Sequence, residues 1–365
     1  MIDSNDHSQS ETPGFNLMTA IDLRSDTVTK PSAKMRAAMA NAAVGDDVMG
    51  ADPTAVALQE YAAEILGKDA TLFMPSGTMT NQIALRIHCQ PGDEFICDSG
   101  CHVYNYEQGA FAQLSGLVAR TVDGPRGVIE LSQIESFIRR ENDHFVRTRL
   151  VCLENTHNRG GGAIYPIDKI AAICEWAHEN GLKTHLDGAR LFNAVVATGI
   201  AASEWSRHFD TVSICLSKGL GAPVGSVLAG DVESIYAARR HRKLFGGGMR
   251  QSGVIAAAGL FALKNNVERL AEDHTKATRL AEMITEIDGL TLTYGYPDTN
   301  ILFIDVDGSK LGTAPNFVDE LTVRGVIVLP ESGSRIRALT HLDVTAEQIE
   351  EAGRAFADTA DELRH

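Results

Sequence analysis

The sequence predicts an α/β protein: a large domain on a mostly parallel sheet, followed by a small C-terminal α+β domain. Three observations carry that expectation. Short apolar or β-branched runs recur up to residue 230, helical patterns separate most of them, and the texture changes near residue 268. At 365 residues the chain is also longer than one core usually organises, so two domains are expected.

In chain order, the opening stretch MIDSNDHSQSETPGFNL is polar and without period, and Met18 stands immediately before TAIDLRSDTVT. Residues 1–20 are therefore expected to be a mobile tail, with Met1 and Met18 both open as the start of translation. Residues 21–268 form the expected large domain, which includes the N-terminal segment. Its strands are TLFMPS (71–76), EFICDS (94–99), RLVCLEN (149–155), KTHLDG (183–188), TVSICLS (211–217) and GSVLAG (225–230). Helical patterns such as DKIAAICEWAHENG, closed by Gly181, supply the crossovers that parallel neighbours need. Only seven residues separate Ser217 from Gly225, too few for a crossover, so the last strand is expected to run antiparallel with Lys218 in the tight connection. Residues 269–365 form the small domain: a long helix beginning near NNVERLAEDH, strands GLTLTYG and ILFIDVD, a helix near 312–324, a strand VIVLP and a final helix.

A formal charge of −15 and a pI near 5.2 argue against a protein that grips a nucleic-acid backbone, which needs a basic face. No segment approaches the apolar length of a membrane helix, and no charged-then-apolar signal region opens the chain. The six cysteines, Cys89, Cys97, Cys101, Cys152, Cys174 and Cys215, sit mostly in apolar runs, so a reducing cytoplasm is expected. Cys97 and Cys101 lack the spacing and the second pair of a zinc site, so no metal is expected.

Ligands of open α/β sheets sit beyond the carboxyl ends of the strands. After the first run come Ser76, Gly77 and Thr78 at the start of a helix, a seat for a phosphate dianion. The later runs are followed by His102, by His157, by Asp187 with Arg190, and by Lys218. Each residue has an ordinary reading alone: a turn aspartate, a solvated loop lysine, a structural histidine, an N-cap. Together they match one small molecule. Pyridoxal 5'-phosphate needs an amine for a Schiff base (Lys218), a helix N-terminus for its phosphate (Gly77, Thr78) and a carboxylate for its ring nitrogen (Asp187). His102 is placed to lie on the ring face. KGLGAPVG is no dinucleotide fingerprint, because Val224 stands where the third glycine belongs and Pro223 interrupts the helix that should begin there.

The motifs IDLRSDTVTKPS, VGDDVMGADPTAVALQEYAAEILGK, MPSGTMTNQIAL, ENTHN, HLDGARLFNAVVATG, SICLSKGLGAPVGS, GGGMRQSGVIAAAGLFAL and THLDV, in that order, resemble the low-specificity L-threonine aldolases. The resemblance runs from Ile21 to about Val344. It implies the aspartate-aminotransferase-like fold, fold type I of the pyridoxal phosphate enzymes, and cleavage of L-threonine, L-allo-threonine and related L-β-hydroxy-α-amino acids to glycine and an aldehyde through an aldimine on Lys218. It also implies that Asp187 pairs with the ring nitrogen, that Gly77 and Thr78 hold the phosphate, and that His102 stacks on the ring. Arg190 and Arg337, assisted by Ser25, would grip the substrate carboxylate, and Arg190 also lies at the cofactor. Arg250 would reach a neighbouring subunit's phosphate site in a homo-oligomer, by resemblance a tetramer, with His157 near the β-hydroxyl. The base is left open among His102, His157 and a water between them. Tyr106 in HVYNYE replaces a phenylalanine of the pattern, and RGGGAIYP is longer than in some relatives. Two rivals stand beside this reading: a β-eliminating lyase on the same cofactor, and a binding protein that keeps only the fold.

Overall fold

The computed structural model describes residues 20–364. The expected tail, Ala20 apart, and the choice between Met1 and Met18 lie outside the described residues. In chain order the strands are β1 (Ile21–Asp22), β2 (Ala70–Met74), β3 (Asp93–Asp98), β4 (Val118–Val122), β5 (Arg147–Glu154), β6 (Lys183–Asp187), β7 (Thr211–Cys215), β8 (Ser226–Gly230), β9 (Leu290–Leu292), β10 (Ile301–Val306), β11 (Val326–Ile327), β12 (Leu329–Ser332) and β13 (Arg335–Leu339).

The large domain carries a seven-stranded sheet in the order β2-β8-β7-β6-β5-β3-β4. Pairing is parallel from β7 through β6, β5 and β3 to β4, while β8 runs antiparallel to both β7 and β2. The seven-residue gap before Gly225 foretold that reversal. Alternation along the strands buries both faces: Phe73 and Ile96 enter the main core, while Leu72 and Met74 join one satellite cluster and Phe95 and Cys97 another. Helices Pro53–Leu66 and Ile167–Glu179 contribute Leu58, Leu66, Ile170 and Ile173 to the main core. β4 was not among the expected strands. Its sequence VARTV is half-exposed at the sheet edge and lacks the apolar run that marked the others.

The C-terminal unit has its own core around Leu280, Ile304, Phe317, Ile336 and Phe356, beneath a four-stranded sheet ordered β12-β13-β10-β9. Three expectations change here. The run VIVLP splits into β11 and β12, and the polar-looking RIRAL forms β13, paired antiparallel with β10. The N-terminal segment, assigned to the large domain, instead pairs β1 in parallel with β11 and places Ile21 and Leu23 in the small domain's core. A two-residue strand carries too little pattern to announce a partner about 300 residues away. The helix Leu270–Thr285 spans the boundary, because Leu270 packs in the large core and Ala277 in the small one.

Candidate active site

Strand β6 ends at Asp187, whose side chain is buried; Asn81 Nδ2 donates to its Oδ2 at 2.9 Å and Ala189 N to its Oδ1 at 3.1 Å. Burial pushes this carboxyl up, but the His102 and Lys218 charges outweigh it and hold Asp187 below the ordinary carboxylate range. It therefore presents an ionised oxygen to the space beyond the strand ends.

Asn81 is the node beneath it. It lies on the helix Gly77–His88, and its Nδ2 donates both to Asp187 and to Glu107 Oε1, each at 2.9 Å. Its Oδ1 accepts from Ser213 Oγ at 2.7 Å and faces His185 Nε2 at 3.2 Å, an orientation of the amide that follows from the ionised Asp187 taking its NH2. His185 is wholly buried and pushed down to about 3 by that burial, so it is a neutral donor in this chain of bonds. The first two helical residues are Gly77 and Thr78, whose N–H groups have no acceptor within the helix; Ser76 Oγ caps Met79 N at 3.2 Å. A Cβ on Gly77 would meet Cys215 Sγ at 2.7 Å, so a larger residue would push the helix start off the sheet.

His102 opens a short helix after β3. Its backbone N donates to Glu154 Oε2 at 2.7 Å, and its Nδ1 lies 2.9 Å from Glu107 Oε1. Lys218 lies in the β7–β8 connection, and Thr29 Oγ1 donates to its carbonyl at 2.9 Å, tying the N-terminal segment to that loop.

A second group of charges lies alongside. Arg190, buried after β6, makes a two-pronged pair with buried Asp26, Nε to Oδ2 at 2.7 Å and Nη2 to Oδ1 at 2.6 Å. Burial would raise Asp26, but Arg190, then Lys218 and Arg337, hold it well below the usual carboxylate range. Asn158 Oδ1 accepts from Arg337 Nη2 at 2.8 Å and from Arg190 Nη1 at 3.4 Å, and Arg337 Nε is buried with no partner among the described residues. Burial, with Arg190 beside it, pushes Arg337 down to about 10. Two guanidiniums converge on Asn158 Oδ1, and only Arg190 pairs with the one carboxylate, Asp26, an excess of positive charge that suits an incoming anion. Ser25 borders this group, its Oγ accepting from Thr27 N and Oγ1.

Two expected residues stand apart. The His157 ring is only 2 % exposed; Gly160 N donates to its Nδ1 at 3.0 Å, and its Nε2 lies 3.2 Å from Asp98 Oδ1. A Cβ on Gly127, at φ 79°, would strike the ring at 2.2 Å, so the backbone closes over it. The ring is thus held through Nδ1 by its own loop, while Nε2 lies beside Asp98 without a hydrogen bond to it. Arg250 is 61 % exposed and pairs with Asp46 Oδ2 at 2.7 Å, turned outward on the loop before the helix Gly253–Asn265. Asp26, Asn81, Glu107, Glu154 and Asn158 were not singled out from the sequence. Asn81 could have been, because it sits one helical turn beyond Gly77 and Thr78 on a helix already assigned to the site.

Residues 22–308 match the family model described as Beta-eliminating lyase. The low specificity L-threonine aldolase of Escherichia coli K12 is 45 % identical over 92 % of this chain and 99 % of its own length. Low-specificity L-threonine aldolase 1 of Arabidopsis thaliana is 43 % identical over 91 % of this chain and 94 % of its own length. Among solved structures, the threonine aldolase of Leishmania major shares the fold, with a TM-score of 0.80 at 22 % identity over 94 % of this chain and all (100 %) of its own.

Proposed function

The chain belongs to the low-specificity L-threonine aldolases, within the beta-eliminating lyase family, and from that premise we propose that it cleaves L-threonine, L-allo-threonine and related L-β-hydroxy-α-amino acids to glycine and an aldehyde. The observation that carries this reading is the converging pair Arg190 and Arg337, with a buried, unpartnered Nε, beside Lys218 and the ionised Asp187. An amino-acid carboxylate and an amine-bearing catalytic centre would then share one cleft.

The residues present fit pyridoxal 5'-phosphate. Lys218 offers the amine, Asp187 a buried carboxylate kept ionised for the ring nitrogen, and Gly77 with Thr78 a helix start closely backed by Cys215. When bound, the cofactor supplies an aldehyde for an amine and a protonated ring that draws electrons from the amino acid's Cα. Asp187 would hold the proton at the ring nitrogen, and His102 would lie against the ring. Arg190 and Arg337, with Ser25, would hold the substrate carboxylate at several points, which stops rotation about Cα and selects Cα–Cβ as the bond to break. As that bond breaks, the β-hydroxyl gives up its proton, the β-carbon leaves as an aldehyde, and Cα takes up a proton to give glycine. The His157 ring is 2 % exposed with Nδ1 taken by Gly160 N, which supports His102, directly or through a water, as the histidine that takes that proton.

Outward-facing Arg250, and the exposed Met49, Tyr236 and Leu244, support an assembly of at least two copies, with Arg250 reaching the neighbour's phosphate seat and a tetramer as in the resemblance. Six free, buried cysteines support a cytoplasmic setting. Purified protein supplied with pyridoxal phosphate should release glycine and acetaldehyde in equal amounts from either threonine diastereomer. Formation of 2-oxobutanoate and ammonium instead would establish the β-eliminating rival.

A further inference from the structure

Glu107 takes no part in the mechanism described so far, yet it is a buried carboxylate with three donors aimed at it. Asn81 Nδ2 reaches Oε1 at 2.9 Å, Gln82 Nε2 reaches Oε2 at 2.6 Å, and His102 Nδ1 lies 2.9 Å from Oε1. The Asn81 amide is orientated by ionised Asp187, which can only accept, so its NH2 faces Asp187 and Glu107 together. An NH2 group only donates, and Glu107 therefore acts as an acceptor. Facing an acceptor, His102 Nδ1 carries a proton. Among the described residues His102 Nε2 has no protein partner, whereas a ring nitrogen of His102 and one carboxylate oxygen each of Glu107 and Asp187 lie within 4.8 Å of one another.

We propose that Glu107 is a positioning residue for the cleavage: it fixes His102 as the Nδ1–H tautomer with its ring plane set, so that Nε2 is the atom that accepts the proton of the substrate β-hydroxyl. This rests on the aldolase reading. The same helix that begins at Gly77 and Thr78 holds both carboxylates of the site through Asn81, one turn further on. Gln82, the next residue, holds the far oxygen of Glu107. The cofactor seat and the base are thereby set by one rigid element. The charged and titratable groups around His102 are Glu107 and Tyr106 on its own segment, Asp187 at the end of β6, Lys218 in the β7–β8 connection, and Glu154 of β5 at its backbone N. Burial lowers the pKa of His102, but Glu107 first, then Asp187, raise it above the ordinary histidine value against Lys218. A base acts in its neutral form, so activity is lost as pH falls through that raised pKa.

Two substitutions separate charge from geometry. In Glu107→Gln the side chain keeps an acceptor for Nδ1, because Gln82 Oε1 has no partner among the described residues and the Gln82 amide can turn over to receive the new NH2. The charge is lost, so the acid limb of kcat/KM should move to lower pH while the tautomer is kept. In Glu107→Met the acceptor is lost as well, and kcat should fall by about tenfold or more with KM little changed, within the roughly 10²–10⁴ that a positioned base contributes. The tautomer is read without turnover, from the ring nitrogens in NMR spectra of 15N-histidine-labelled apo-protein, with the His102 signals assigned by their loss in His102→Asn. Expected are a protonated Nδ1 and a bare Nε2 in the wild type and in Glu107→Gln, and a population of Nε2–H in Glu107→Met. A wild-type ring protonated on Nε2 overturns the proposal whatever the variants do. So does an unmoved acid limb with His102→Asn inactive, and in that case the aldolase reading survives. If His102→Asn cleaves threonine at the wild-type rate, the assignment of His102 as base fails with it.

Discussion

Lys218 and Asp187 stand at the ends of β7 and β6, and each has one property that substitution can remove. Lys218→Ala deletes the amine, so turnover should vanish together with the cofactor that borohydride can fix to the chain. Fixation at another lysine would move the assignment. Asp187→Asn keeps the size of the side chain and one of its two accepted bonds, its NH2 then facing a donor, and removes the charge that His102 and Lys218 sustain; cofactor should still bind, with activity down by about 10²-fold or more. Arg335 and Arg337 test the carboxylate seat more sharply. Two apart on β13, they point to the same side of the strand, yet Arg335 Nε is answered by Asp305 Oδ1 at 2.7 Å whereas Arg337 Nε is unanswered. Arg337→Lys loses the planar fork and should lower kcat/KM for L-threonine by about tenfold or more, leaving cofactor absorbance unchanged. Arg335→Ala should leave cleavage near the wild-type rate. The reverse result would exchange their roles.

At the scale of the element, the helix Gly77–His88 joins cofactor seat to catalytic groups, so its start is where fold and function can be separated. Ser76→Ala removes the cap on Met79 N and should lower stability by about 1 kcal/mol, read as a reduced Tm. Gly77→Val, forced against Cys215 Sγ, should raise the Kd for pyridoxal phosphate well beyond what that loss of cap would do. The opposite end of the sheet has no catalytic group but a strong pH dependence. Asp210 accepts from Thr184 N, Lys183 Nζ and His178 Nε2, linking the starts of β6 and β7. Burial opposes its charge, yet Lys183 and the Thr184 amide bring it down to about 2 from 3.8. A depressed folded pKa stabilises the fold above pH 4 and that contribution is lost as pH falls towards 2. Asp210→Asn should flatten the fall in Tm over that window, and an unchanged slope would assign the acid lability elsewhere.

For the whole molecule, the carboxylate seat draws on both domains: Arg190 and Asn158 come from the large one, Arg337 from the small one, and Asp26 from the segment that joins them. Arg126 with Asp298 at 2.9 Å and Arg159 with Glu331 cross the same cleft near its mouth. If Arg250 also serves a neighbouring copy, two defective proteins can repair each other. Arg250→Ala and Lys218→Ala subunits, unfolded and refolded together, should regain part of the wild-type activity, because some sites then combine an intact lysine with an intact partner arginine. Mixtures no more active than the sum of the separate variants would place Arg250 outside the site.

The strand runs, the reversed last strand and the residues after each strand were legible from the sequence because they depend on local pattern and on the length of chain a crossover needs. Lys218, Asp187, Gly77 and His102 follow directly from strand ends, and their chemistry is read from residue type. Partnership is not local. That Asp26 neutralises Arg190, that Asn81 holds two carboxylates, and that Glu107 lies under His102 depend on contacts between segments 5 to 164 residues apart. His157 shows the limit most plainly: its place after β5 matches the catalytic pattern, but only the packing shows that Gly127, from another loop, and Gly160 of its own loop lie against the ring and leave it 2 % exposed. Sequence position determines which residues arrive at the carboxyl edge of the sheet. Which of them keep a free polar atom there is decided only when the rest of the chain packs around them and satisfies every buried group it can reach.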